Sequence, residues 1–327
     1  MKPGDGAFPF DSRGTMNDPP RARVELHAPP ESMPELPDIV VYIESLEARV
    51  KGRVLKSVRL LNPFILRTAM PPVAIIHGRT VLAVRRLGKR IVLEFGDGLF
   101  LAIHLMIAGR LKWVAGDGTA RRPGRNVLAA LEFDNGTLAL TEAGTRRMAS
   151  LHVLQGQAAL DALHVPGLEV LEADLAQFSE RLQSQNHTLK RALTDPRMFS
   201  GIGNAYSDEI LHRARLSPIA MTQKLDADEL SRLYHAARDT LGEWTERLRR
   251  QAEGNFPEKV TAFREEMAVH GKFGKPCPVC GSPVQRIVRG DHETNYCPRC
   301  QTGGKVLADR ALSKLLKKSW PRSIEDL

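Results

Sequence analysis

MPELPDIVVYIESLEARVKG occupies residues 33–52, and its reading organises the rest of the chain. Ile39, Ile43, Leu46 and Val50 recur at helical spacing, and Gly52 is a stop signal. Pro34 and Glu35 therefore fall just ahead of a helix N-terminus. Upstream, residues 1–32 hold six prolines and no sustained periodicity. That composition predicts a disordered extension, or a stretch absent from the mature protein, with Met16 and Met33 as alternative starts. Downstream, from Val54 to about Val153, short alternating apolar runs predict strands. Arg90–Leu105 turns at Gly96-Asp97-Gly98, and a second run turns at Asp134-Asn135-Gly136, both hairpin signals. Several such strands imply a sandwich or barrel.

From about Glu172 the period becomes helical. Leu175, Phe178, Leu182, Leu189, Leu193, Ile210, Leu211, Leu230, Leu233, Leu241 and Trp244 fit amphipathic helices. All four cysteines then fall in Cys277-Pro-Val-Cys280 and Cys297-Pro-Arg-Cys300, with 16 residues between the pairs. Two short turns that each present two thiolates close a tetrahedral shell, so one structural Zn²⁺ is expected. Two disulfides or free thiols are the alternative, which suits a chain without a secretion signal poorly. The metal should hold a β-hairpin carrying Arg286, Arg289 and His292, suited to a nucleic-acid groove or simply solvated. The last segment, VLADRALSKLLKKSW, reads as a short basic helix.

Composition narrows the function classes. The 327 residues are 42% hydrophobic and 26% charged, which excludes wholesale disorder and collagen-like sequence. No apolar run approaches the roughly 18 residues that span a bilayer, and the start lacks an apolar leader. A cytoplasmic protein without membrane association is expected. The 47 Lys/Arg and 38 Asp/Glu give a net charge of +9. Residues 259–327 hold 13 of the bases and 7 of the acids, a net of +6. A basic end points to a polyanion, with nucleic acid ahead of a membrane surface, although a solubility charge reads the same way.

In combination the motifs resemble the formamidopyrimidine-DNA glycosylase and endonuclease VIII family, from Met33 to about Gln301. They are MPELPD (33–38), LGKR (87–90), HLMIAGRL (104–111), LKRALTDPRMFSGIGNAYSDEIL (189–211) and CPRCQ (297–301). The resemblance implies an α+β multidomain fold: an N-terminal helix plus β-sandwich, a helical helix-two-turn-helix domain, and a C-terminal zinc-finger β-hairpin. The expected domains are a disordered extension at 1–32, a catalytic sandwich at 33–155, a helix-two-turn-helix at 172–256, a four-cysteine finger at 268–303 and a basic tail at 304–327. The implied activity is excision of damaged bases from double-stranded DNA, followed by abasic-site cleavage, in a bacterial, nucleoid-associated, monomeric enzyme.

By the same resemblance the nucleophile is the amine of Pro34, once it is N-terminal. It attacks the sugar C1′, and the iminium that forms permits β- and then δ-elimination. A neighbouring helix N-terminus disfavours the ammonium form. Glu35 matches the acid–base residue, and a dry site should raise its pKa. Lys89 matches a phosphate-binding lysine beside the proline, and Lys190 a second one. Asn204 matches the helix-two-turn-helix asparagine. Taken singly, each residue has a plainer reading: proline and glutamate are common at helix starts, and lysines are mostly exposed. In Gly201-Ile202-Gly203-Asn204, Asn204 can cap the next helix, whose free amides would attract a phosphate.

Several residues depart from the family's pattern. Pro34 is internal here, and a proline within a peptide bond has no free amine; translation from Met33 is the favoured explanation. Asp38 stands where glutamate is usual. Ile107, beside Met106, stands where a void-filling methionine is usual. Arg146-Arg147-Met148-Ala149 lacks the usual aromatic, leaving Ile107, Arg147 and Met148 as wedges for a flipped nucleotide, or as core. In the finger, His292 takes an arginine position, with Arg289 as a neighbouring substitute and Asp291 and Glu293 as repulsive neighbours. The tail's Lys305, Arg310, Lys314, Lys317, Lys318 and Arg322 could add non-specific DNA contacts. The sequence leaves the lesion open among oxidised purines, oxidised pyrimidines, crosslinked bases and bare abasic sites. A non-catalytic DNA-binding module of the same fold and an RNA-binding zinc protein are the rival readings.

Overall fold

A computed structural model describes residues 33–116, 124, 126–143, 147–258, 260–261, 263–289, 292–308 and 322–326, all within one compact unit, Glu31–Leu327. The extension 1–32, Arg146, Asp291 and residues 309–320 of the basic helix expected across 306–320 lie outside the described residues, and 306–308 are not helical.

Helix α1 (Leu36–Val50) starts and stops where its periodicity predicts, with Gly52 at φ +76° just beyond. It leads into nine strands: β1 (Val54–Leu55), β2 (Ser57–Leu60), β3 (Arg79–Leu87), β4 (Arg90–Phe95), β5 (Leu99–His104), β6 (Gly109–Ala115), β7 (Val127–Glu132), β8 (Gly136–Glu142) and β9 (Ser150–Gln155). They form two antiparallel sheets, ordered β1-β3-β4-β5-β9 and β2-β7-β8-β6. Leu93, Leu101 and Ile103 of one sheet share a core with Leu131, Leu138 and Leu140 of the other, so a sandwich is the outcome.

The expected alternation fails in the first hairpin. Val92, Phe100 and Ala102 are buried on the side away from the sandwich core. Leu160 of α2 (Gln157–Asp161), a helix the periodicity does not reveal, packs over them. A sheet covered on both faces has no polar side to alternate with.

Helices α3 (Leu175–Gln183), α4 (Leu189–Thr194), α5 (Asn204–Ala214) and α6 (Ala227–Ala252) build a second core around Phe178, Leu193, Ile210, Leu233 and Leu241. Leu175, expected on the buried stripe, is an exposed first-turn residue instead. Helix α1 serves both cores. Ile39, Tyr42, Leu46 and Val50 enter the sandwich, while Leu36 enters the helical cluster. The start of α1 is thereby fixed at the junction of the two cores. Strands β10 (Gln285–Arg289) and β11 (His292–Tyr296) form the finger hairpin, followed by α7 (Pro298–Thr302). Val306 and Leu307 are buried, and the Leu307 N–H donates to the Tyr296 hydroxyl at 2.7 Å, so packing continues past the expected end of the finger.

Candidate active site at the domain junction

Glu35 is the N-cap of α1, with extended backbone, and its N–H donates to Asp38 Oδ2 at 3.0 Å. Pro34, immediately before it, is buried. The Glu35 side chain leaves its own helix. It accepts the Gly203 N–H at 2.5 Å, the Ala205 N–H at 2.8 Å and the Tyr206 N–H at 3.3 Å. These are the unpaired amides at the start of α5. Two expectations for this turn are corrected here. Gly203, not Asn204, is the N-cap of α5, and the anion at the helix N-terminus is the protein's own Glu35. Leu36 N–H donates to Gly201 O at 2.9 Å and locks the two segments together. Gly201 has φ +81°, which the turn requires and which glycine adopts without strain.

Glu35 is 1% exposed. Burial pushes its carboxyl above the ordinary carboxylate range, opposed by the Lys89 ammonium and the Ala205 N–H. Lys89 sits in the tight turn between β3 and β4, where burial lowers its pKa and Glu35 raises it. Gly203 lies between the two. A Cβ there would stand 2.5 Å from both Glu35 Cδ and Lys89 Nζ. The lysine can yield, but the carboxylate is held by three amides. Gly203→Ala should therefore cost about 1–3 kcal/mol, read as a lower Tm; an unchanged Tm would show that the pocket is looser than this.

Lys190 and Asn204 also come to this junction, though neither is idle. Lys190 Nζ donates to Asn204 O at 2.7 Å and to Asp208 Oδ1 at 2.5 Å. Asp208 is fully buried, and its other oxygen accepts the Asn295 N–H at 3.1 Å and lies 2.8 Å from His270 Nδ1. Asn204 Nδ2 donates to Glu293 O at 2.9 Å, bracing the finger hairpin against α5. Glu209 adds another brace by accepting the amides of Ala268, Val269 and His270. Asp208 and Glu209 stand inside the 189–211 motif but draw no role from it, and His270 has no motif to mark it. His104 at least stands in HLMIAGRL; burial pushes it down to about 4, so it is neutral.

The four cysteines are free, and their sulfurs lie within 4.8 Å of one another. Cys277 and Cys300 are 3.9 Å apart, and Cys280 and Cys297 are 3.4 Å apart. A tetrahedral zinc–thiolate shell has edges of roughly 3.8 Å, so the donor set fits one closed structural site. His212 Nε2, on α5, lies 3.2 Å from Cys277 Sγ and seats the site against the helical core.

The outlying candidates are dispersed. Ile107 is 44% exposed, which excludes a core role. Arg147 is exposed, Met148 half-buried and Ala149 buried. The Met148 and Ala149 N–H groups donate to the buried Glu142 carboxylate at 2.9 and 3.0 Å. Arg289 is exposed at the hairpin end and pairs in register with His292, whose side chain lies outside the described residues. Glu293 is paired with Arg286 at 3.1 Å and is not a free repulsive charge.

Residues 33–151 match the formamidopyrimidine-DNA glycosylase N-terminal domain family, 167–251 the formamidopyrimidine-DNA glycosylase H2TH domain, and 274–303 the zinc finger found in FPG and IleRS. A formamidopyrimidine-DNA glycosylase of Chloroflexus aurantiacus is 35% identical over 279 residues, covering 82% of this chain and 98% of the relative. The Thermus thermophilus enzyme is 34% identical over 288 residues, covering 83% and 100%. Among solved structures, the MutM (Fpg) protein of Thermus thermophilus superposes with TM-score 0.69 at 32% identity, covering 82% and 98%. Lactococcus lactis Fpg in complex with oxidised-pyrimidine DNA gives 0.73 at 26%, covering 82% and 100%. These relatives favour the catalytic reading over a non-catalytic module of the same fold.

Proposed function

The chain belongs to the formamidopyrimidine-DNA glycosylase family, and on that premise we propose how its own residues divide the work of a DNA glycosylase and abasic-site lyase. Its substrate is duplex DNA carrying damaged bases or abasic sites. The freed Pro34 amine attacks C1′, the glycosidic bond breaks, and the base leaves with the bonding pair. Glu35 protonates the ring oxygen as C1′ is attacked, so the sugar ring opens ahead of base departure and base release depends on that proton. The resulting iminium acidifies C2′–H, and β-elimination expels the 3′ phosphate; δ-elimination then expels the 5′ phosphate. Lys89, Lys190 and Asn204 hold the flanking backbone, and Arg147 and Met148, with Ile107, fill the gap left by the everted nucleotide. Arg289 and His292 contact DNA from the finger. When bound, zinc supplies only structural constraint, through Cys277, Cys280, Cys297 and Cys300.

The catalytic part is 33–155, the helix-two-turn-helix part 172–256 and the finger 268–303, acting as a monomer. Among the described residues no helix is long and apolar enough to cross a membrane. The site of action we assign is the bacterial nucleoid, in the cytoplasm.

The observation that carries the reading is the buried Glu35 carboxyl beside Pro34, with its affinity for the proton raised by burial. A carboxyl raised in this way keeps its proton to higher pH than an ordinary glutamate. Base excision should therefore fall as pH rises through the raised pKa. Glu35→Gln keeps the size and an acceptor but cannot deliver a proton. We expect base release from oxidised-purine and oxidised-pyrimidine duplexes to drop by roughly 100- to 10,000-fold. Release at the unaltered rate would remove Glu35 from the role of acid.

A further inference from the structure

Asp38 is the residue where this chain is one carbon shorter than its family's pattern, and its surroundings give that difference a purpose. One oxygen accepts the Glu35 N–H at 3.0 Å. The other accepts Arg264 Nη2 at 2.9 Å. The two side chains are 3% and 8% exposed, so this is a buried ion pair. Arg264 belongs to the segment after α6, which turns at Glu253 and Gly254, places Phe256 and Val260 in the sandwich core, and returns Met267 to the helical core. Its guanidinium also lies over the Trp244 ring at 6.0 Å.

We propose that Arg264 is a positioning residue for the Pro34–Glu35 turn, acting through Asp38. The inference rests on the reading of Pro34 as nucleophile and Glu35 as acid. The Glu35 N–H belongs to the same peptide plane as the Pro34 carbonyl, so the acceptor on that N–H fixes the plane that carries the proline ring and narrows where its nitrogen can lie. Burial drives Asp38 toward its neutral form, opposed first by Arg264. A neutral Asp38 holds that N–H more weakly. With the longer glutamate, the guanidinium would have to retreat from α1.

The alternative is that the pair only ties the linker down. The two are separated in protein that begins at Pro34, by following abasic-duplex binding, single-turnover borohydride trapping and the pH profile of base release. Arg264→Met keeps the aliphatic stem and removes the charge. Trapping should fall by roughly 10- to 100-fold while binding stays within about threefold. Arg264→Lys restores the charge and should recover most of the rate. Arg264→Met leaves Asp38 buried and unpaired, so the double variant Asp38→Asn/Arg264→Met, which removes both charges, serves where the single one unfolds.

In that double variant the alkaline limb of base release should move to lower pH. The Asp38 charge raises the Glu35 carboxyl, while Lys89, His270 and the Ala205 amide, which face Glu35 from the other elements, are unchanged. Trapping by folded Arg264→Met at the unaltered rate, a lysine no better than methionine, or a stationary pH limb would each overturn the proposal. Absence of trapping by the unaltered Pro34 protein would overturn the reading of the site itself, and the inference with it.

Discussion

Borohydride will trap this chain on an abasic-site duplex only when Pro34 carries a free amine. The full 327-residue chain should show no covalent adduct, and protein that begins at Pro34 should be trapped in a single turnover. The contrast is all-or-none because it is set by bonding. Within a peptide the proline nitrogen gives its lone pair to the carbonyl and has none for C1′. As an N-terminal secondary amine it has one, and the start of α1 beside it disfavours the ammonium form. The match to the family's N-terminal domain begins at residue 33. Cleavage between Met33 and Pro34 would therefore place the amine beside Glu35, whose carboxyl burial holds in its acid form to higher pH than usual. The comparison needs both proteins confirmed by N-terminal sequencing. Equal trapping by the two would mean that another amine attacks, and Lys89 would be the first to substitute.

What can be read from the sequence is the part governed by short-range geometry. The Cys277–Cys300 unit is legible because ligand spacing is set by two local turns. Helix α1 is legible from its period and stop signal, and both hairpins from their turns at Gly96-Asp97-Gly98 and Asp134-Asn135-Gly136. The site is legible only as a set of positions. That Glu35 would cap α5 from 168 residues away has no local signature, since any buried carboxylate satisfies unpaired amides equally well. The same holds for Arg264, 226 residues from Asp38, and for Asp208, which reads as an ordinary polar residue of α5 until Lys190, His270 and Asn295 are seen to converge on it. Asn204 misleads for a related reason. A glycine before an asparagine looks like a turn and its cap, but here the capping carboxylate comes from another element.

Loss of zinc should produce the second large effect, and its pattern tests how the finger is built into the site. Structural zinc contributes roughly 10–16 kcal/mol to the folding of such units, whereas an isolated two-stranded hairpin is marginal at best. Chelation, or Cys297→Ser, should therefore unfold 274–303 and leave the sandwich melting near its original temperature. Hydrogen exchange at Ile287 and Tyr296 should rise to that of unfolded chain. The consequence extends into the junction. The finger braces Asn204 through Glu293 O, shares Asp208 through the Asn295 N–H, and packs Cys277 against His212. With those gone, Asp208 keeps Lys190 and His270 but loses a backbone donor, and Asn204 is left without its brace. DNA affinity should fall, and its salt dependence should flatten by about one logarithmic slope unit for each phosphate the protein no longer neutralises. Trapping should slow further than the weaker affinity explains, because the turn that holds Glu35 and Lys89 leans on the same helix. If affinity falls while trapping at saturating DNA is unchanged, the finger is only a DNA clamp, and α5 holds the site without it.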